Sequence, residues 1–293
     1  MSYVECLRNG LGHVIKMEVI ANKNETFILL NGISTPKNIQ FCDGVQLEQA
    51  DTSQLDFASA VSTCSRPDDI AVVAAFIPRI TSQFRINASS PREVSIIAWN
   101  SSWDALLLSA IFQAEIGFNI QSDTTANQIS SNSSLRGIHR QMSGFNDAPP
   151  YIITGRDVDW LSRYFGNARS LLGEDSFQTA VQCLATYHWH PNPRVKLAMI
   201  WAGIEGIFGA SSEIRFRISV CIARFLHADD ELERKNTFEI VKRLYNVRSK
   251  AVHGAKSKGE LSLGAIESAN LLNKLLIRSI ETGLLPVEAD LFP

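Results

Sequence analysis

The spacing of apolar positions changes once along the chain, at about residue 150. Before that point apolar residues form short runs or alternate with polar ones, which is typical of β-strands. From Asp157 onward they recur every three or four residues, which is typical of amphipathic helices. The pattern predicts an α+β fold, with a β-rich domain at residues 1–150 followed by an all-α helical bundle at residues 151–293.

Five runs in the first part have the length and composition of strands. The first two end in Asn-Gly and Asp-Gly, which are strong turn signals. The third is almost wholly apolar and stops at a proline, so we expect a strand buried on both faces. The fourth alternates and is expected to be half-exposed. The runs are Thr26–Leu30, Ile39–Cys42, Ala71–Ile77, Phe84–Asn87 and Val94–Trp99.

One clear helix and one polar stretch complete the predicted N-terminal domain. The helix runs from Trp103 to Ile116, with Ser102 as its N-cap. The polar stretch at residues 121–134, together with Asn146–Pro150, predicts a linker or mobile loop. The two prolines at its end place the predicted domain boundary at residue 150.

The second part predicts five or six antiparallel helices joined by short loops. The third of these is apolar around most of its circumference and is expected to be the central helix of the bundle. The tail from residue 284 is expected to be docked or loose coil. The predicted helices are Asp157–Leu172, Asp175–Tyr187, Arg194–Phe208, Glu213–Leu226, Asn236 or Thr237 to about Arg248, and Leu263–Thr282.

Composition predicts a soluble, cytoplasmic protein without a metal or disulfide framework. Hydrophobic residues make up 45% of the chain and charged residues 20%. The N-terminus has no apolar signal-peptide core, and no apolar run approaches the roughly 20 residues that span a bilayer. The five cysteines are scattered and lack a Cys-x-x-Cys pair. We therefore expect free thiols, no cofactor and no membrane partner.

Charge is distributed unevenly along the chain. Residues 1–190 carry 13 basic and 18 acidic residues, whereas residues 191–293 carry 15 basic and 12 acidic ones. No acid interrupts the stretch from residue 242 to residue 258. This excess suits a polyanion such as RNA, although a solvated helix face gives the same pattern. The candidate RNA-binding residues, apart from the arginine discussed next, are Lys242, Arg243, Lys250, Lys256 and Lys258.

Within this basic stretch, Arg248 and His253 offer phosphate recognition and proton transfer. The guanidinium fork of arginine fits a phosphate, and histidine exchanges protons near pH 7. At about 100° per residue, positions five apart on an ideal helix point about 140° apart. Either the pair straddles a helix end, which Gly254 favours, or each side chain meets groups from a second subunit. A surface arginine and a helix-capping histidine are the simpler interpretation.

Three segments of the second part resemble a known family in order and spacing. Arg248-Ser249-Lys250-Ala251-Val252-His253 is similar to the Arg-x4–6-His motif of HEPN domains. The segments Ile200–Gly209 and Ile214–Leu226 resemble two helices of the Apea-like branch of that family. The resemblance covers roughly residues 155–283 and leaves residues 1–150 without a comparable match.

This resemblance implies a metal-independent endoribonuclease, of a kind often used in phage defence or as a toxin. It implies that Arg248 and His253 are the catalytic pair, with supporting roles for Glu205, Tyr245 and Ser249. It also implies a homodimer, or a higher homo-oligomer, in which two motifs line one cleft. From the residues alone, Glu205 is equally able to orient Arg248, tune His253, or form a buried ion pair with Arg215.

The expected chemistry uses the 2′-hydroxyl of RNA as nucleophile and yields 2′,3′-cyclic phosphate ends. One candidate target is tRNA, and the first domain is expected to bind a protein trigger or inhibitor. The alternatives are a non-catalytic module that binds RNA or nucleotide, and a purely structural oligomerisation bundle. A metal site at Tyr187–His190 is a weaker possibility than simple packing of that loop.

Overall fold

The computed structural model describes residues 23–292 except for Gln54, Ser65 and residues 139–143, 146–147, 210–213 and 253–257. For Ile214, Val252 and Lys258 it describes the backbone alone. The chain forms two compact units, Met1–Gly166 and Asn167–Pro293. The first is β-rich and the second is mostly helical, as the change in apolar spacing predicts.

The first unit is built on a six-stranded antiparallel sheet with strand order β3-β4-β5-β1-β6-β7. A short parallel pair, β2 and β8, stands beside it. Gly32 and Gly44 adopt positive φ, which confirms the turns predicted at Asn-Gly and Asp-Gly. The strands are β1 Glu25–Asn31, β2 Ile33–Ser34, β3 Ile39–Cys42, β4 Val45–Gln49, β5 Ile80–Asn87, β6 Gly117–Ser122, β7 Leu135–Gly137 and β8 Tyr151–Ile152.

Helices cover both faces of this sheet. They are α1 Phe57–Ser62, α2 Pro67–Phe76 and α3 Pro91–Phe112. Phe27 and Leu29 of β1 pack with Phe76 of α2 in one buried cluster. Alternation along β1 leaves Ile28 and Leu30 on the opposite face, where α3 contacts β1, β5 and β6.

Two of the predicted strands are helices. Ala71–Ile77 lies mostly in α2, and Val94–Trp99 lies in α3. A short apolar run does not by its periodicity distinguish a buried helix from a buried strand. The deciding signals precede the runs: proline occupies the first turn of both helices, and the Ser90 side chain accepts a hydrogen bond from the backbone N–H of Glu93.

The prediction of a linker at residues 121–134 is also wrong for residues 121 and 122, which belong to the sheet. Gln121 and Ser122 end β6 and are 1% and 0% exposed. Their polar groups are satisfied inside the sheet: Gln121 donates to the Thr26 hydroxyl at 2.8 Å, and that hydroxyl donates to the Ser122 carbonyl at 3.0 Å. The Phe84–Asn87 strand is confirmed as part of β5, and its buried Phe84 and Ile86 alternate with the more exposed Arg85 and Asn87, as predicted.

Helix α3 is long and apolar enough to cross a membrane, alone among the helices of the described ranges. Of its most apolar stretch, 61% is buried within the protein. It therefore has the burial expected of the core helix of a soluble protein, packed on the sheet.

The predicted series of amphipathic helices begins with α4, which belongs to the first unit as far as Gly166, and continues through the second unit. Helix α6 contacts α5, α7, α8 and α9, and α9 likewise contacts α5, α6, α7 and α8, so α6 shares the centre of the bundle with α9. Helix α8 is longer than predicted at both ends. The helices are α4 Gly155–Leu171, α5 Asp175–Thr186, α6 Pro193–Phe208, α7 Ile214–Leu226, α8 Glu231–Val252, α9 Lys258–Thr282 and the short α10 Glu288–Leu291.

Candidate functional site

The arginine of the predicted catalytic pair lies in the last two turns of α8. Arg248 and Ser249 are half-buried there, and Lys250 is exposed. The other member of the pair, His253, lies outside the described residues, as does Lys256. The geometry of the site is therefore that of Arg248 and the side chains around it.

Arg248 is held by an acidic side chain from the central helix. Its Nη2 atom lies 3.2 Å from Oε1 of Glu205 and donates a hydrogen bond to Oε2 at 3.3 Å. The guanidinium also stands 5.6 Å from the centre of the Tyr245 ring, one turn earlier on α8. The Arg248 and Glu205 side chains are 28% and 24% exposed, so the pair is screened by water only in part.

The pairing excludes one of the roles left open for Glu205. Arg215 does not contact it but donates instead to the side-chain amide oxygen of Asn246 at 3.2 Å. Burial raises the pKa of Glu205, and the nearby Arg248 charge opposes that rise. Glu205 is therefore the ion-pair partner of Arg248, whereas its relation to His253 falls outside the described residues.

Two polar atoms of the pair have hydrogen-bonding capacity left over. Nε of Arg248 and Oε1 of Glu205 are buried, and neither has a hydrogen-bond partner among the described residues. A buried donor without a partner costs free energy, which a bound ligand recovers by accepting from it. The unused Nε donor is where a phosphate oxygen would add a second contact to the guanidinium.

The aromatic side chains next to Arg248 are packed against the bundle core. The Tyr245 ring packs edge-on against Trp201 at 5.3 Å between ring centres, and Trp201 is fully buried. The Trp201 indole N–H donates to the Ser268 hydroxyl at 3.1 Å, which ties α6 to α9. Arg248 therefore stands on side chains whose rotamers are fixed by the bundle core.

The structure also shows a contact that the sequence did not indicate. A guanidinium N–H of Arg194, in the first turn of α6, donates to the main-chain carbonyl of Ala251. That carbonyl lies in the last turn of α8, where carbonyls lack partners within the helix. Arg194 thus holds the end of α8 immediately before His253. A cation at the start of a distant helix carries no local signal of this role.

Three of the predicted RNA-binding cations are paired with acids in the structure. One acid lies on α8 itself and two lie on α9, so the acid-free stretch of sequence is not an acid-free surface. The remaining cations, Lys256 and the side chain of Lys258, lie outside the described residues. The pairs are Lys242 with Glu239 at 3.5 Å, Arg243 with both carboxylate oxygens of Glu267 at 2.9 and 3.1 Å, and Lys250 with Glu260 at 3.3 Å.

The histidines at the end of α5 pack rather than form a metal site. His188 contacts the Tyr187 ring at 3.8 Å between ring centres. Burial, reinforced by the Lys196 charge, lowers the pKa of His188 to about 4. Across the described ranges, no group of three or more His, Cys, Asp or Glu side chains is arranged to hold a metal ion.

Comparison of the chain with protein-family models, with curated proteins and with solved structures finds no match. The function of the site is accordingly inferred from its own side chains and from the motif around Arg248.

Proposed function

We propose that this protein is a metal-independent endoribonuclease of the HEPN type. One observation supports the proposal most directly: Arg248 is half-buried and charge-paired to Glu205, and its Nε donor has no partner among the described residues, five residues before His253. An arginine that served only the fold would be expected to have all its buried donors satisfied. A pre-oriented guanidinium with a spare donor suits a phosphate that arrives with a substrate.

In the proposed reaction the substrate supplies its own nucleophile. Arg248 holds the non-bridging oxygens of the scissile phosphate and stabilises the charge that develops on the phosphorane. His253 removes the proton of the 2′-hydroxyl or protonates the leaving 5′-oxygen. Glu205 and Tyr245 keep the guanidinium in place. The products carry a 2′,3′-cyclic phosphate and a 5′-hydroxyl, and DNA is not cut because it lacks the 2′-hydroxyl.

We further propose that two chains form one working site. The reaction needs a base and an acid, and the motif supplies one histidine per chain. A two-fold axis would bring a second His253 to the same cleft. The β-rich unit would then bind a protein trigger or inhibitor, as in a phage-defence effector or toxin.

Incubation of purified protein with total RNA in EDTA tests the proposed reaction. We expect the wild type to cleave, and His253→Ala and Arg248→Ala to lose cleavage by about 100-fold or more. His227→Ala, a histidine outside the site, serves as the control and should cleave like the wild type. Sequencing of the cleaved ends checks the cyclic phosphate.

A different result would assign a different function. If neither the wild type nor His253→Ala cuts RNA, while both bind it, the protein is a non-catalytic binding module. Cleavage that disappears in EDTA and returns with a divalent cation would contradict the metal-independent mechanism.

A further inference from the structure

Helix α7 is basic, and two of its three arginines are bound by neutral groups. It carries Arg215, Arg217 and Arg224 and contains no acidic residue. Arg215 bonds to an amide and Arg224 donates to the main-chain carbonyl of Leu291 at 2.8 Å, so both contacts are with neutral groups. Arg217 alone meets a carboxylate. In contrast, each described lysine and arginine of α8 from residue 242 onward is paired with a glutamate.

Arg217 and Arg224 lie on the same face of α7, because seven residues correspond to about two helical turns, or about 10.5 Å. The segment that follows α9, residues 284–292, lies on that face and reaches both arginines. Glu288 pairs with Arg217 at 2.7 Å, and the Phe292 ring centre lies 4.5 Å from the same guanidinium. Residues 284–292 are called the strap below.

The two groups that the strap places on Arg217 have the chemistry of a nucleotide. An anionic oxygen of the Glu288 carboxylate accepts a hydrogen bond from Nε of Arg217, as a phosphate oxygen would. The Phe292 ring stacks near the guanidinium, as an unpaired base does. The Phe292 ring is itself supported by the edge of Phe216, which is 52% exposed. The strap thus occupies positions that a single-stranded RNA could take.

We propose that the Arg217–Arg224 face of α7 is a binding surface for the phosphate backbone of single-stranded RNA, and that the strap competes with RNA for it. The surface extends substrate binding beyond the Arg248 site and rests on the proposed function, since it takes RNA as the partner. The strap is held on α7 by the Glu288–Arg217 ion pair, the Leu291–Arg224 carbonyl contact and the ring contacts of Phe292. The ion pair is about as buried as that of Arg248, so RNA has to replace the carboxylate with a phosphate rather than add to it.

Binding of a single-stranded 2′-O-methyl RNA oligonucleotide, measured by fluorescence anisotropy over a range of salt concentrations, tests this surface without cleavage. The variant Glu288→Gln/Phe292→Ala loosens the strap and leaves α7 intact. We expect it to bind about fivefold more tightly than the wild type at low salt. Its plot of log Kobs against log salt should be steeper by about 1.4, which corresponds to two additional phosphate contacts.

A matched control separates displacement of the strap from a general change in charge. Asp290→Asn removes one negative charge from the same strap, but the Asp290 side chain makes no ion pair in the described structure. It should bind like the wild type. Adding Arg217→Gln and Arg224→Gln to the loosened strap should abolish the gain. Thermal unfolding confirms that each variant is folded.

Several results would overturn the proposal. Equal tightening by Glu288→Gln/Phe292→Ala and Asp290→Asn would show that net charge alone governs binding. A folded strap variant with unchanged affinity and salt slope, or the absence of any binding to the oligonucleotide, would exclude the surface. Because the probe is uncleavable, these results are independent of whether total RNA is cut, which tests the proposed reaction separately.

Discussion

Because the pKa of Glu205 is raised, we expect its ionised form to stabilise the fold less than a neutral side chain would, unlike the usual expectation for an ion pair. At 3.2 Å and an effective dielectric constant of about 20, the attraction to Arg248 is worth about 5 kcal/mol. The pKa is nevertheless raised, with removal of the carboxylate from water as the larger cause and the Arg248 charge as the smaller, opposing one. The ionised carboxylate therefore destabilises the folded state relative to a neutral side chain of the same shape.

We predict that Glu205→Gln is as stable as the wild type at pH 7, or more stable by up to about 1 kcal/mol. The folded wild type keeps the Glu205 proton to a higher pH than the unfolded chain does, so it binds more protons between the two pKa values. Its free energy of unfolding should fall as pH rises from the ordinary value of 4.5 through the raised pKa. Glu205→Gln should lack that fall.

Urea unfolding between pH 4 and pH 8 measures this difference. Glu267→Gln is the control, because its partner Arg243 is exposed and the loss of that pair should cost about 0.2–1 kcal/mol at pH 7. RNA cleavage should change in the opposite direction. Glutamine offers Arg248 a weaker hydrogen bond, so we expect a roughly tenfold slower reaction. A loss of more than 1 kcal/mol in Glu205→Gln at pH 7 would refute the reasoning.

Two further predictions concern packing and a buried histidine. A Cβ added at Gly264 would meet Cγ1 of Val247 at 2.7 Å, so Gly264→Ala should destabilise by about 1–3 kcal/mol. Gly206→Ala, with nothing within 4 Å, should stabilise α6 by about 0.5–1 kcal/mol, and thermal unfolding compares the two. His188 stays neutral when folded but takes up a proton near pH 6.5 when unfolded, so stability should fall as pH drops from 6.5 toward 4, by at most about 3 kcal/mol. His188→Gln should flatten this dependence; an unchanged slope in urea unfolding would contradict it.

The parts of the fold that were predictable have a local cause. The helices of the second unit repeat apolar positions over three or more turns, and β1 and β3 end in turns that need glycine at positive φ. The errors fall on Ala71–Ile77 and Val94–Trp99, where an apolar run is short and lacks a clear period. Gln121 and Ser122 were misplaced because buried polar side chains in a sheet look like those of a loop until their partners are known.

The pairings around Arg248 could not be predicted from the residue types in the sequence. The position of Arg248 near a helix end follows from the amphipathic pattern and the glycine behind it. Whether Glu205 meets Arg248 or Arg215 depends on how α6, α7 and α8 are rotated against one another. The pairs that α8 forms with Glu260 and Glu267 depend on the register of α9. These rotations and registers are long-range properties, so one sequence leaves them open.

The pairings also separate two roles that the sequence had placed on one segment. A cation paired with a buried or bidentate acid is held in one orientation, but part of its charge is neutralised by that acid. This arrangement suits a group that acts on one phosphate in a defined geometry. Arg248 is of this kind. A cation held by a carbonyl or by a displaceable carboxylate keeps its charge available, which suits binding along a backbone. Arg224 is of this kind. Arg217 would join it once the strap leaves, because its pair with Glu288 is about as buried as that of Arg248. In the proposed nuclease, α8 would thus carry the chemistry and α7 the substrate binding, although α8 has the denser run of positive charge.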